Sequence, residues 1–234
     1  GAQYDSVLAM SFYPNEAEPV WSKYSTQAVV HTLDVYSRFS FDYPYPTAQS
    51  VNTWESGGME YPMITFNGYR PDPPRAKPEK PESAESLAHE ARAYSRRIKY
   101  GLIGVIIHEV GHNFFPMIIN SDERQWTWMD EGLNTFVQYL TEKEFDRNYP
   151  TRRGSARDIR SYMGGDKSRI SPIMTNSENI INFGPNAYAK PATGLNILRE
   201  TIMGRELFDY AFKEYCNRWA YKHPAPADFF RTME

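Results

Sequence analysis

The chain has 234 residues, 41% of them hydrophobic, which is typical of a globular protein with a substantial apolar core. Its 26 Lys and Arg against 29 Asp and Glu give a net charge of -3, so we expect no nucleic-acid partner and no attraction to an anionic membrane. The longest apolar run, residues 101–107, is far shorter than the roughly 20 residues of a membrane helix, and the single Cys216 excludes an internal disulfide bond and a cysteine-rich metal site.

The first part of the chain combines strand and helix patterns. Residues 6–13 mix apolar and small side chains without a break and predict a short strand. Residues 21–39 carry apolar side chains at helical spacing after Pro19, and two prolines soon after predict the end of this helix. Residues 51–66 predict two elements, of which the second is a strand over residues 59–66.

Glycine and proline residues between positions 57 and 85 indicate turns, sheet edges and loops. Gly57 and Gly58 indicate either a turn or a close approach of another group to the backbone. Pro62 places its strand at a sheet edge, because proline cannot donate a ladder hydrogen bond. The Pro-rich, charged residues 71–85 predict a solvated loop, either a linker between two domains or, as we prefer, an insertion within one domain.

The second half of the chain is mostly helical in pattern. Residues 86–115 predict a helix, with a break at Gly101 left open, and residues 122–147 predict a second helix with Asn120 and Glu123 as its capping pair. Strands followed by helices indicate the α+β class. Residues 151–185 look irregular, and three further helices are predicted over residues 187–203, 205–221 and 227–233.

The most specific pattern is His108-Glu109-x-x-His112 within the first of these helices. Histidines at i and i+4 share one helix face, so both imidazoles can bind one cation, and Glu109 lies beside them, where it can take a proton from water. Catalytic zinc needs a third protein ligand, for which we predict Glu131 on the next helix, with Gly132 leaving space beside the metal. The apolar residues before His108 argue against a chance match, because they bury the helix and its polar groups then need partners.

Four motifs in one order resemble the gluzincin zinc aminopeptidases of the aminopeptidase N and leukotriene-hydrolase type. Two are the HExxH helix and, after eighteen intervening residues, the third ligand Glu131 in Trp128-Met-Asp-Glu-Gly132. Gly57-Gly58-Met59-Glu60-Tyr61 is similar to that family's Gly-x-Met-Glu-Asn motif, and Tyr188-Ala-Lys190-Pro-Ala192 is similar to its Tyr-x-Lys-Gly-Ala motif. The chain departs from the family at Tyr61, Asp130 and Pro191 and in residues 113–116, which indicates a divergent branch.

The resemblance implies a thermolysin-like catalytic domain over residues 1–234. Such a domain has a small mixed sheet, with one edge strand facing the cleft, packed on a largely helical part. The family also has a preceding β-sandwich domain and usually a C-terminal helical domain. Because neither fits in this chain, we expect a catalytic domain excised from a longer protein.

The resemblance also implies a function, the removal of amino-terminal residues from peptides that have a free N-terminus. One zinc ion per chain would be held by the predicted ligands, Glu109 would act as general base, and Tyr188 would donate a hydrogen bond to the oxyanion. Glu60 would pair with the α-ammonium group of the substrate. Gly57, Gly58 and Met59 would bind the peptide main chain.

Three alternatives stay open at this point. A thermolysin-like endopeptidase would use the same metal site without an anchor for the amino terminus. A catalytically silent domain would bind peptides or partners and hydrolyse nothing, although the intact ligands and base argue against it. An epoxide hydrolase activity, as in the leukotriene-hydrolase relatives, has no specific support in the residues.

Overall fold

The structure is a computed structural model that describes residues 2–4, 6–71 and 94–234. Most of the Pro-rich segment 71–85 and the predicted helical residues 86–93 lie outside the described residues. The chain divides into two compact units, the first formed by Gly1–Val30 and Tyr45–Val110, the second by His31–Pro44 and Gly111–Glu234.

The first unit contains a five-stranded mixed sheet with the strand order β1-β2-β3-β5-β4. Strands β2, β3 and β5 are parallel to one another, whereas β1 and β4 run antiparallel at the two edges. The small mixed sheet, with a largely helical remainder, confirms the predicted α+β class, and β2 confirms the strand predicted over residues 6–13. The strands are β1 (Ala2–Tyr4), β2 (Val7–Phe12), β3 (Thr47–Asn52), β4 (Gly57–Tyr61) and β5 (Ile64–Gly68).

Strand β4 and strand β5 form a hairpin where the sequence predicted one strand over residues 59–66. The prediction was wrong because the chain turns at Pro62 and Met63, and Met63 has a φ of 68°, which no strand residue adopts. The predicted edge is nevertheless present, since β4 is the outermost strand. Gly57 and Gly58 lie inside β4, so they do not form a turn.

Two helices contain the apolar stripes seen in the sequence. Helix α1 (Val20–Phe39) follows Pro19 as predicted and buries Val29, Leu33 and Tyr36 completely. Helix α2 (Arg96–Gly111) is continuous through Gly101, where a side chain would lie 2.2 Å from the ring of Tyr69 in the same unit. Gly101 is therefore required for close packing and does not break the helix.

The second unit is mainly helical, and its core is aromatic. A wide, π-helical turn over Asn113–Ile118 follows helix α2, and another over Trp128–Gly132 leads into helix α3. The rings of Phe136, Phe208 and Phe212 pack at centroid distances of 5.3–5.9 Å, which joins α3 to α6. The helices are α3 (Leu133–Phe145), α4 (Arg160–Gly164), α5 (Lys190–Ile197), α6 (Arg205–Trp219) and α7 (Pro226–Met233).

One helix start was predicted wrongly. Helical structure begins at Trp128 rather than at residue 122, and the predicted capping pair does not form. The amide of Asn120 instead donates to the carbonyl oxygen of Pro116 at 3.0 Å. The hydroxyl of Ser177 donates to the carbonyl oxygen of Glu123 at 2.9 Å, so both residues belong to a loop that precedes the helix.

The structure also bears on the predictions for Cys216 and for membrane-spanning helices. Cys216 is completely buried in α6, as predicted for a small apolar residue of a helix. Among the described residues, the helices are all too short or too polar to span a membrane.

Candidate metal centre

Helix α2 and the turn after it carry both histidines of the HExxH motif. His108 is part-buried, and Glu109 and His112 are buried. A separation of four residues is about one helical turn, and this spacing predicts that both imidazoles can reach one cation.

The ring of His112 is fixed by neighbours on both nitrogens. Nδ1 lies 2.8 Å from the carbonyl oxygen of Phe115 and 3.0 Å from Oδ1 of Asp130. This Oδ1 atom accepts no hydrogen bond within the described part of the chain, so we assign the Nδ1 proton to the Phe115 carbonyl. Nε2 faces Oε2 of Glu131 at 3.4 Å. A histidine held through Nδ1 and presenting Nε2 has the orientation of a metal ligand.

The charges around His112 favour a cation at Nε2. Burial lowers the pKa of His112, but Asp130 and Glu131 outweigh burial and hold this pKa well above its ordinary value. For the carboxyl group of Asp130, burial has the opposite effect and raises the pKa to about 7. Positive charge at this position is thus stabilised, and either a proton or a metal ion can supply it.

Tyr188 lies on the other side of the Glu131 carboxylate. Its hydroxyl donates a 2.7 Å hydrogen bond to Oε1, so Glu131 is flanked by His112 and Tyr188 within the second unit. Burial and the charge of Glu131 raise the pKa of Tyr188, which keeps the phenol protonated and able to donate. The ring of Phe183 packs edge-on against that of Tyr188 at 6.2 Å.

Gly132 allows the segments that carry Glu131 and Tyr188 to approach each other. A Cβ atom on Gly132 would lie 2.5 Å from Cγ of Pro191 and 3.2 Å from the carbonyl oxygen of Ala187. The space next to Gly132 is therefore filled by Pro191, although the sequence predicted that this glycine leaves space beside the metal. Pro191 is one of the departures from the family motif, and the structure explains it as a packing partner of Gly132.

The glycine-rich motif on strand β4 lies against the side chain of Glu109, within the first unit. A Cβ atom on Gly58 would lie 2.3 Å from Oε1 of Glu109, so of the two sequence alternatives the close approach is the one observed. Carboxylate oxygens of Glu60 and Glu109 lie within 4.8 Å of each other. Gly57 has a φ of 94°, and a Cβ atom there would meet no described atom within 4 Å; Met59 is 44% exposed. This edge brings two carboxylates together, as a site for a cationic group requires.

Two residues of the centre have no clear signal in the sequence. Asp130 is recognisable there only as a departure from the family pattern, and its contact with His112 depends on the wide turn over Trp128–Gly132. Arg153 lies over the ring of Tyr188, with 4.2 Å between its guanidinium carbon and the ring centroid. It comes from the irregular region 151–185, where no periodicity points to any one side chain.

The chain is similar to known proteins in sequence and in fold. The model of the peptidase family M1 domain matches residues 24–234. Endoplasmic reticulum aminopeptidase 1 of Homo sapiens is 25% identical over 241 residues, which are 97% of this chain and 23% of that protein. The chain thus spans about a quarter of the length of the curated relatives it matches.

Solved structures show the same fold. The M1 zinc metallopeptidase from Deinococcus radiodurans aligns with a TM-score of 0.63 and 15% identity, covering 98% of this chain and 45% of that one. A two-domain M1 zinc metallopeptidase bound to L-tryptophan aligns equally well, with a TM-score of 0.63, 15% identity and the same coverage.

Proposed function

The chain belongs to peptidase family M1, and on this premise we propose that it removes amino-terminal residues from peptides by zinc-dependent hydrolysis. Membership confirms the resemblance seen in the sequence, since the family model matches residues 24–234. Relatives named aminopeptidases and neighbours named zinc metallopeptidases support the finer assignment. Because the chain spans about a quarter of these relatives, its own activity is a proposal.

The zinc ion would be held by His108, His112 and Glu131, one ion per chain. Two imidazoles and one carboxylate are a donor set suited to catalytic zinc, and the buried Nε2 of His112 already faces a carboxylate oxygen. The Phe115 carbonyl on Nδ1 and the neighbouring Asp130 would orient this ligand. Bound there, zinc acts as a Lewis acid on the scissile carbonyl and lowers the pKa of water.

Glu109 would act as the general base and then as the general acid. A carboxylate adjacent in sequence to a ligating histidine can take the proton of the attacking water and later deliver it to the leaving amine. The close contact with Gly58 fixes where the Glu109 carboxylate lies. A side chain at Gly58 would therefore displace the base.

Tyr188 would stabilise the oxyanion that forms on the scissile carbonyl. Its raised pKa keeps the phenol protonated, as a hydrogen-bond donor must be. Its hydroxyl donates to Glu131, a proposed ligand, and so lies beside the reacting centre. Loss of one such donor typically lowers the rate by about 10²–10³-fold.

Glu60 would make the enzyme an exopeptidase. Its carboxylate oxygen lies within 4.8 Å of one from Glu109, and two neighbouring carboxylates favour a cation such as the substrate α-ammonium group. This contact would align the first peptide bond with the reacting groups. Gly57, Gly58 and Met59 on the edge strand β4 would pair with the peptide main chain.

The observation that carries the proposal is the part-buried Glu131 carboxylate flanked by His112 and Tyr188. The test combines metal analysis with a panel of aminoacyl p-nitroanilides. Glu109→Gln should retain the zinc and lose about 10²–10⁴-fold in kcat, whereas the matched change Glu16→Gln, at an exposed glutamate of the same unit, should alter neither. Full activity in Glu109→Gln would refute the mechanism.

Glu60→Gln separates the exopeptidase from the endopeptidase. An aminopeptidase should lose affinity for peptides with a free amino terminus and should not cleave acetylated ones in either form. An endopeptidase would cleave acetylated peptides about as well with Gln as with Glu at this position. A protein with bound zinc that hydrolyses no aminoacyl or peptide substrate would be the silent domain.

A further inference from the structure

Arg153 is a cation next to the proposed catalytic centre that the proposed reaction does not use. Its guanidinium carbon lies 4.2 Å from the ring centroid of Tyr188, the residue that donates to Glu131. The face of an aromatic ring attracts a guanidinium group, and this contact holds Arg153 beside the reacting groups. All three residues belong to the second unit.

The backbone next to Arg153 is held on two sides. Gly154 is buried with a φ of 103°, and a Cβ atom there would lie 2.4 Å from Cγ of Tyr139 on helix α3. The hydroxyl of Thr193 on helix α5 donates to the carbonyl oxygen of Ser155 at 3.5 Å. Because only glycine fits this conformation and this space, the position of Arg153 is set by the packing and not by a free loop.

The N–H donors of the Arg153 guanidinium group are available to a ligand. Within the described part of the chain, Arg153 makes no hydrogen bond or ion pair, and its contact there is with the ring of Tyr188. Burial lowers the pKa of Arg153, although Tyr188, Glu131 and Glu142 oppose this effect. Arginine is still charged at any physiological pH, so this cation has lost part of its water by burial and has no acceptor among the described residues.

We propose that Arg153 binds a carboxylate of the substrate close to the scissile bond, so that the enzyme prefers substrates bearing one. This inference rests on the proposed function and names the substrate class of that site. The planar fork of N–H donors matches a carboxylate in a two-bond geometry. The carboxylate could be the α-carboxylate of a dipeptide or the side chain of an acidic residue.

Matched substrate pairs that differ only in a carboxylate test the inference and separate these sources. Comparing Leu-Ala with Leu-Ala-amide tests the α-carboxylate. Comparing Leu-Asp-amide with Leu-Asn-amide tests an acidic second residue, and comparing Glu-Ala-amide with Gln-Ala-amide tests an acidic first residue. At least one pair should show about 10- to 100-fold higher kcat/KM for the carboxylate member. Arg153→Gln should abolish that preference, Arg153→Lys should keep part of it, and the neighbouring exposed change Arg152→Gln should leave it intact.

Two results would overturn the inference while leaving the proposed function in place. One is wild-type hydrolysis with no preference in any pair. The other is an Arg153→Gln variant that slows both members of each pair equally, since Arg153 would then act only by positioning Tyr188.

A binding measurement decides the inference even if no substrate is hydrolysed, a result that would itself overturn the proposed function. Calorimetry on the zinc-loaded Glu109→Gln variant compares the dissociation constants of the two members of each pair without turnover. The carboxylate member should bind about 10-fold more tightly or better, and this advantage should disappear when Arg153→Gln is added. Equal binding of both members in every pair would overturn the inference.

Discussion

Glu142 carries a buried carboxyl group whose ionisation should destabilise the protein. It lies on helix α3, is 7% exposed, and accepts a 2.8 Å hydrogen bond from the amide of Gln138. Burial raises the pKa of Glu142 from 4.5 to about 7, although Gln138 and Arg153 oppose the shift. We expect Glu142→Gln to stabilise the protein, because glutamine fills the same space and is never charged.

The size and sign of this effect follow from the two pKa values. Below about pH 4.5 the carboxyl is neutral in both the folded and the unfolded chain and costs nothing. As the pH rises toward 7, the unfolded chain releases the proton while the folded chain retains it, so stability falls. Each pKa unit corresponds to about 1.4 kcal/mol, so the full loss above pH 7 is about 3 kcal/mol.

The assay is urea unfolding of the wild type and Glu142→Gln at pH 4 and pH 8. The substitution should gain about 3 kcal/mol at pH 8 and close to nothing at pH 4. The exposed control Glu206→Gln should change the free energy of unfolding by less than about 0.5 kcal/mol at both values. A gain from Glu142→Gln that is the same at both pH values would refute the argument from burial.

Three further substitutions test the geometry of the centre. Tyr188→Phe should lower kcat about 10²–10³-fold and leave the zinc content unchanged, and a loss below 10-fold would argue against an oxyanion donor. Gly58→Ala should displace the Glu109 carboxyl and lower kcat about 100-fold, whereas Gly194→Ala, where a side chain meets nothing within 4 Å, should keep wild-type kcat. Gly132→Ala should clash with Pro191 and cost about 1–3 kcal/mol in thermal unfolding, and an unchanged melting temperature would show that the two segments can separate freely.

The parts of the fold that could be predicted are those with a local cause. Helix α1 follows from apolar spacing after a proline, and the spacing of His108 and His112 alone places both imidazoles on one helix face. Glu131 could be chosen as a ligand candidate because it begins the next helix at a distance that allows the chain to return. These inferences needed only the period of a helix and the chemistry of zinc ligands.

The wrong predictions concern features with no local signal. Residues 59–66 alternate like one strand, and nothing in that pattern shows that Met63 adopts a positive φ and reverses the chain. The helix expected from residue 122 begins at Trp128, because loop contacts to Asn120 and Glu123 replace the predicted cap.

Other features depend on residues that are distant in sequence. In the sequence, Gly132 suggests free space next to Glu131, yet the space left by its missing side chain is occupied by Pro191. Arg153 is 35 positions before Tyr188, and only the packing of helices α3 and α5 around Gly154 and Ser155 brings the two together. A single sequence offers no means of pairing such residues.

The central claim, zinc-dependent removal of the first residue of a peptide, can be tested by one mass-spectrometric measurement. The same short peptide is incubated with the protein in free and N-acetylated form, before and after zinc is removed with a chelator and restored. The account predicts loss of a single amino-terminal residue from the free peptide, only with zinc present, and no cleavage of the acetylated peptide. Cleavage of the acetylated peptide at an internal bond, or release of the first residue without zinc, would contradict it.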